Sequence, residues 1–574
     1  MPHSKRMFNT STLFQNIVIL KNCCFKKLLF QNNVQKDTGM QHDALYYPSA
    51  SRRMATFGKR GMVATSQPLA AQVGISILQQ GGNAIDAAIA TAAALTVVEP
   101  TSNGIGSDAF AIVWVDGKLH GLNASGPAPQ AATIEALKAL GHDTMPNHGM
   151  LPVTVPGAPA AWAALSERFG KLPFAELLAP AIALADEGFP VSPVIHQMWK
   201  EAFNTYSAYD EASFKPWFDT FAPKGRAPEP CELWRSEGHA KSLKAIADSR
   251  AKAFYEGELA EAIDAFSREH GGLLRKEDLA AYQPEWVDPI SVRYKGHDIW
   301  EIPPNGSGII VLQALGMLEH LGDEGRDPVE TLHRRIEATK LAYVDGFAHV
   351  TDLDTMRPTI DQMLNDDYLK SRAAMIGEQA VDPIHGNPIK GGTVYLATAD
   401  NDGNMVSLIQ SNFKGFGSGM VVPGTGISLQ NRGWSFSLDP QHPNALAPGK
   451  RTYHTIIPGF ITKDNQAVGP FGVMGGYMQP QGHVQVVTAM LEDQLNPQAA
   501  LDMPRWKWTK GKTIEVEADF PNHLALALAR RGHDIVKVAD SISFGRGQII
   551  LRDPDTGVLQ GGTEPRTDGA VLPW

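Results

Sequence analysis

The sequence predicts an α/β protein built as a layered sandwich, with helices flanking a central set of strands. Three observations point there. Helical periodicity dominates 156–350, strand alternation dominates from Thr393 onward, and no tandem repeat or low-complexity linker separates the two regions. The 574 residues, 43% hydrophobic and 20% charged, suffice for a large core in a soluble globular protein. A net charge of −10 gives no reason to expect nucleic acid or an anionic membrane as partner.

Residues 1–39 carry six Lys/Arg, one Asp and only short apolar patches. They lack the uninterrupted apolar run and small-residue cleavage site of a signal peptide. This segment reads as a disordered extension or as an artefact of an upstream start, with Met40 as the beginning and the cytoplasm as the compartment. No run approaches the roughly 18 apolar residues of a membrane helix. Cys23, Cys24 and Cys231 form neither a disulfide framework nor a zinc spacing.

The first helix is expected to begin near Pro68, with Thr65 or Ser66 as its cap, and to stop at Gly81-Gly82. The next, 84–98, is almost wholly apolar and should be buried on all sides. A strand comes next at 109–115. Helical patterns cover 160–169, 174–187, 239–269, 307–321 and 329–350, interrupted by an extended segment at 290–302. Beyond Thr393 two further helices are expected, near 479–492 and 523–531.

Several motifs are excluded. Gly104-Ile-Gly-Ser-Asp-Ala109 mimics a dinucleotide fingerprint but follows a helix and opens a strand, the reverse of what that fingerprint requires. Gly415-Phe-Gly-Ser-Gly419 has no better context. G-x-S-x-G and H-E-x-x-H are both absent from the chain. No metal-ligand spacing stands out, so neither metal nor cofactor is expected.

The stretch that organises the chain is Lys390 to Asn412. Alternation from Val394 to Ala399 reads as a strand, Asp400-Asn-Asp-Gly-Asn404 as a turn, and Met405 to Ser411 as the returning strand. Thr393 heads this hairpin, directly after Gly391-Gly392. A Thr hydroxyl is a weak nucleophile that needs a base, and a free α-amine on the same residue can serve. That amine exists only if the Gly392–Thr393 bond is cut, and the preceding glycine leaves its carbonyl open to attack. An ordinary hairpin entered through a Gly-Gly turn accounts for the same residues, and from them alone is the stronger reading.

Ordered motifs along the chain change that balance. Gly61-Met-Val-Ala, Gly81-Gly-Asn-Ala-Ile-Asp-Ala, Val98-Glu-Pro, Gly104-Ile-Gly, Val155-Pro-Gly, Leu274-Arg-Lys-Glu-Asp-Leu-Ala-Ala-Tyr282, Pro303-Pro-Asn-Gly-Ser-Gly308, the Thr393 segment, Gly475-Gly476 and Pro565-Arg-Thr-Asp-Gly569 all resemble the γ-glutamyltransferase (γ-glutamyltranspeptidase) family of N-terminal nucleophile hydrolases. The resemblance implies a four-layer αββα sandwich and a precursor that cuts itself into a large subunit, 40–392, and a small one, 393–574. It implies that Thr393 is first the self-cleaving residue and then the nucleophile. Ser411 falls where the family places a hydroxyl bonded to the nucleophile, against the alternative of a plain strand serine. Gly475 and Gly476 fall where backbone N–H groups form the oxyanion hole. Expected partners are a small amide substrate and a water or amine acceptor.

The family's substrate pocket is altered here. No arginine occurs between Arg60 and Arg168, where family members keep one for the substrate's α-carboxylate, and a bidentate Arg has no substitute in Ser or Ala. Ser435 stands at the position of the Asp that binds the α-amino group, and His454 and Thr455 at that of a serine pair. The segment between Phe436 and Lys450 is short for a lid loop. Arg432, Arg451 and His454 are the candidates to take over an anionic group, with structural roles open for each. The expected activity is amide hydrolysis or acyl transfer on γ-glutamyl compounds or related small acidic amides. Acylase or oxamate-type specificity is the alternative. An unprocessed scaffold is the non-enzymatic rival, opposed by retention of Thr393, Ser411 and Gly475-Gly476.

Overall fold

The computed structural model describes residues 53–322, 327–383 and 392–574. The expectations for 1–39, Met40, Lys390 and Gly391 lie outside the described residues. The described residues belong to the compact unit Ser49–Trp574.

Among them, fourteen strands build the centre. In chain order they are β1 (Thr56–Gly58), β2 (Gly61–Thr65), β3 (Asp108–Val115), β4 (Lys118–Ala124), β5 (Glu285–Val287), β6 (Ile290–Tyr294) and β7 (His297–Glu301). After these come β8 (Gly392–Asp400), β9 (Met405–Phe413), β10 (Gly459–Lys463), β11 (Gln466–Met474), β12 (Arg546–Arg552), β13 (Leu559–Thr563) and β14 (Ala570–Pro573). One sheet has the order β14-β2-β8-β9-β3-β4-β5, the other β1-β13-β12-β11-β10-β7-β6. Every neighbouring pair in both is antiparallel. Each sheet therefore mixes strands from before and after Gly392/Thr393.

The sheets pack face to face. Gly472 on β11 allows this: a Cβ there would lie 2.4 Å from the Tyr395 ring on β8. Outside the first sheet lie α1 (Pro68–Gln79), α2 (Ala84–Val98) and α3 (Phe174–Glu187); outside the second lie α4 (Gly308–Leu321) and α5 (Gln479–Leu491). This is the αββα sandwich. All fifteen residues of α2 are buried, because an Ala-rich helix with Ile, Leu and Val on every face has no side to offer water. Asn83 and Asp86 form its capping box.

Local expectations fail where tertiary bonds claim a side chain. Neither Thr65 nor Ser66 caps α1; the cap position is Gln67, with no side-chain bond. Thr65 instead ends β2 and donates to the Tyr395 carbonyl at 3.2 Å, while Ser66 donates to Glu99. The stretch 239–269 is three helices, Glu237–Ser249, Lys252–Tyr255 and Glu258–Glu269. Arg250 and Ala251 break it with φ of 49° and 66°. The extended segment 290–302 is the β6/β7 hairpin, turned through Lys295-Gly296.

A buried polar cluster ties down the chain before the hairpin. On helix Pro328–His349, Glu337 accepts from Lys340 Nζ at 2.6 Å, and both side chains are fully buried. Lys340 also donates to the Val381 carbonyl (2.6 Å), and the Val381 N–H donates to Glu337 (3.1 Å). His333 and His533 approach within 2.8 Å beside them. His333, Glu337 and His533 have metal-ligand chemistry, with donor atoms within 4.8 Å of one another. The ammonium of Lys340 already neutralises that carboxylate, so the cluster acts as an anchor for 377–381. Lys340→Met leaves Glu337 charged and unpaired in the core. It is expected to cost about 3–5 kcal/mol of stability, read as a lowered denaturant midpoint. An unchanged midpoint would contradict the anchoring role.

Candidate active site

Thr393 is the second residue of β8 and is fully buried. Its position is irregular. Gly392 pairs with Phe413 and Val394 with Gln410, so the register shifts across Thr393. A bulge of this kind re-aims one side chain while the ladder continues on either side. The Thr393 hydroxyl lies 3.0 Å from Ser411 Oγ and accepts from Gln479 Nε2 at 3.3 Å. Gln479 is held in that orientation because its other amide atom, Oε1, accepts from the Ile457 N–H at 3.1 Å. Ser411 Oγ in turn accepts from the Phe413 N–H at 2.8 Å. Thr393 and Ser411 thus meet through strand pairing, and the first residue of α5 completes the contact.

Arg546, which opens β12, donates to the Thr393 carbonyl at 3.4 Å and to Glu99 Oε1 at 3.3 Å. Glu99 is fully buried, and desolvation raises its pKa against the pull of Arg546. The pair presents a neutralised wall to Thr393.

Gly475 follows β11, and Gly476 opens a short 3₁₀ turn, Gly476–Met478, into α5. Gly475 has φ +140° and Gly476 φ +59°, positive values that favour glycine. Gly475 lines a cleft of about 350 Å³ together with Thr101, His148, Met198, Lys414 and Arg546. Arg546 links this cleft to the Thr393 carbonyl, while Thr393 itself is buried and does not line it.

A second cluster sits next to Ser411. Asp108 on β3 pairs directly with Ser411, which places both side chains on one face of the sheet. Its Oδ2 accepts from Arg432 Nε at 3.1 Å and from His454 Nε2 at 3.0 Å, and all three side chains are fully buried. Arg432 also donates to Thr455 Oγ1 at 2.9 Å and lies over the Phe413 ring at 4.3 Å. Burial, and then the neighbouring Arg432, push the His454 pKa down to about 4, so its imidazole is neutral and donates to Asp108. Arg432 and His454 are therefore both held by Asp108, while Arg432 Nη2 and Asp108 Oδ1 are buried with no hydrogen-bond partner among the described residues. Arg451 is elsewhere, donating to the Ser125 carbonyl (3.1 Å) and to Glu285 (2.7 Å). Ser435 closes a 3₁₀ turn, its carbonyl accepting from Asn444 at 2.7 Å. None of Ser435, Arg451, His454 and Thr455 lines the cleft.

Asp108, Gln479, Arg546 and Lys414 are contributions that only the structure brings out. Asp108 sits inside the Gly-Ile-Gly-Ser-Asp motif and is legible as a motif member. The others carry no local signal, since they reach Thr393 or its cleft only through sheet order.

The family model described as Gamma-glutamyltranspeptidase matches residues 70–574. The "Glutathione hydrolase-like YwrD proenzyme" of Bacillus subtilis is 35% identical over 529 residues, covering 90% of this chain and 99% of that protein. The "Oxamate amidohydrolase proenzyme" of Klebsiella pneumoniae is 35% identical over 525 residues, covering 89% and 98%. Among solved structures, the cephalosporin acylase from Bacillus halodurans is similar with a TM-score of 0.91 at 60% identity, over 93% of this chain and 99% of that one.

Proposed function

The chain belongs to the γ-glutamyltranspeptidase family, and on that premise we propose that it is a self-processing threonine amidohydrolase selective for small acyl amides with an acidic acyl group. The observation that carries this is the bulged Thr393, its hydroxyl held between Ser411 and Gln479 beside a cleft lined by Gly475.

Maturation begins when Thr393 Oγ1 attacks the Gly392 carbonyl carbon. The C–N bond breaks, the hydroxyl proton passes to the departing nitrogen, and water then hydrolyses the resulting ester. Gly392 is left with a carboxyl end and Thr393 with a free α-amine. The large fragment then ends at 392 and the small one runs from 393 to 574. In turnover the same hydroxyl attacks a substrate amide while the α-amine takes its proton and hands it to the leaving amine. Backbone N–H groups of Gly475 and Gly476 stabilise the oxyanion, typically worth ~3 kcal/mol of barrier per donor. Water releases the acid and restores the enzyme. Hydrolysis, more than transfer to an amine, fits the short 436–450 segment, whose Phe436, Leu438 and Leu446 pack into a small apolar cluster.

Selectivity follows from what the pocket lacks. With no arginine between Arg60 and Arg168 and with Ser435, His454 and Thr455 at the altered positions, an α-amino-acid head finds no bidentate partner. Glutaryl-4-nitroanilide is expected to be cleaved with a kcat/KM at least about tenfold above γ-glutamyl-4-nitroanilide. A preference for the γ-glutamyl compound would overturn this specificity.

A further inference from the structure

The cleft beside Gly475 holds an ammonium with no assigned partner. Lys414 lies three residues beyond Ser411, so its Cα is within about 11 Å of that of Ser411 along the chain. Its Nζ rests 3.3 Å from the centre of the Trp434 ring, and the side chain is half-buried. Among the described residues it makes no ion pair. The other charged groups sharing the cleft differ. Arg546 is engaged by Glu99 (3.3 Å), and Glu201 lies exposed at the rim. His148 is neutral, its pKa lowered to about 4 by burial and by Lys414, and its Nδ1 is bonded to Tyr209 at 2.7 Å. Asp540 and Tyr206 complete the titratable set. Arg432 and His454 are bonded to Asp108 and Arg451 to Glu285, and none of the three lines the cleft.

We propose that Lys414, held on Trp434, is the specificity-determining residue that receives the far carboxylate of an acidic acyl group while the near carbonyl lies at Thr393. The proposal rests on the reading of Thr393 as nucleophile. A cation on an aromatic face, partly stripped of water, gains more from an incoming carboxylate than an exposed lysine does.

The test compares glutaryl-4-nitroanilide with pentanoyl-4-nitroanilide on the processed enzyme, together with competitive inhibition by glutarate. Lys414→Met keeps the packing on Trp434 and is expected to lower the glutaryl/pentanoyl ratio of kcat/KM by about 10- to 100-fold, mainly through KM. Lys414→Arg is expected to restore most of that ratio, and glutarate inhibition should weaken in parallel with it. Desolvation holds the ammonium pKa down at about 8, so Lys414 is cationic below that pH. In the unmodified enzyme the ratio is therefore expected to fall as pH rises through about 8, and in Lys414→Met to be flat there. A ratio unchanged in Lys414→Met, or inhibition by glutarate unaffected, would sink the proposal. Should the unmodified chain neither cut itself nor cleave either anilide, the reading of Thr393 fails first, and the denaturing gel shows it directly.

Discussion

Thr393→Ala is expected to give a single uncut chain of 574 residues and to abolish amide hydrolysis, by at least about 10⁴-fold. The unmodified protein should resolve on a denaturing gel into pieces of 392 and 182 residues, which together make up the 574. Synthesis from Met40 would shorten the larger piece by 39 residues and leave the smaller one unchanged. In the proposed mechanism both losses have one cause, since the hydroxyl that opens the peptide is the hydroxyl that later takes the acyl group. Mass spectrometry separates this from misfolding: the uncut variant should keep the native melting behaviour while lacking the new terminus. Cleavage or full turnover in Thr393→Ala would remove the residue from the mechanism.

The second large effect is expected at Gly475→Ala. At φ +140° the backbone occupies a region that L-residues rarely adopt, and a new Cβ would lie 3.1 Å from Gly545 Cα. That neighbour is main chain and has little room to yield, so the peptide at 475 must rotate and its N–H swing away from the oxyanion. A fall in kcat of about 10²- to 10³-fold is expected, with KM little changed. Self-cleavage is expected to persist, because the Thr393 contacts to Ser411 and Gln479 are untouched. Single-turnover kinetics reads the loss, and an unaltered kcat would place the oxyanion elsewhere.

What the sequence discloses and what it hides divide along physical lines. The all-apolar run 84–98, the turn Asp400–Asn404 and the placement of Thr393 at a strand head are local matters, set by composition and spacing, and they can be read directly. The pairing of Asp108 with Ser411 is not local, for it depends on β9 choosing β3, a distant part of the chain, as its neighbour. Gln479 and Arg546 reach Thr393 from separate strands and helices for the same reason. Arg432 and His454 illustrate the opposite trap. As a list of residues they suggest an anion receptor, whereas in the fold both are buried against the carboxylate of Asp108 and neither lines the cleft. The break at Arg250-Ala251 is invisible in the sequence because neither residue is a glycine or a proline, and only the fold around them imposes the left-handed conformation.

The weaving of strands within each sheet also bears on the protein's lifetime. In one sheet β2 is clasped between β8 and β14, and the residues of both that pair with it, Leu396–Asp400 and Ala570–Pro573, lie beyond the proposed scission point. Cleavage at the proposed site would therefore free no piece: the halves would stay laced together by main-chain bonds along several seams. The intact precursor can fold as one connected string, whereas two severed strings must find each other and interleave again. Loss of a structure so cleaved is in that sense expected to be a one-way event, its persistence governed by how seldom the laces come undone.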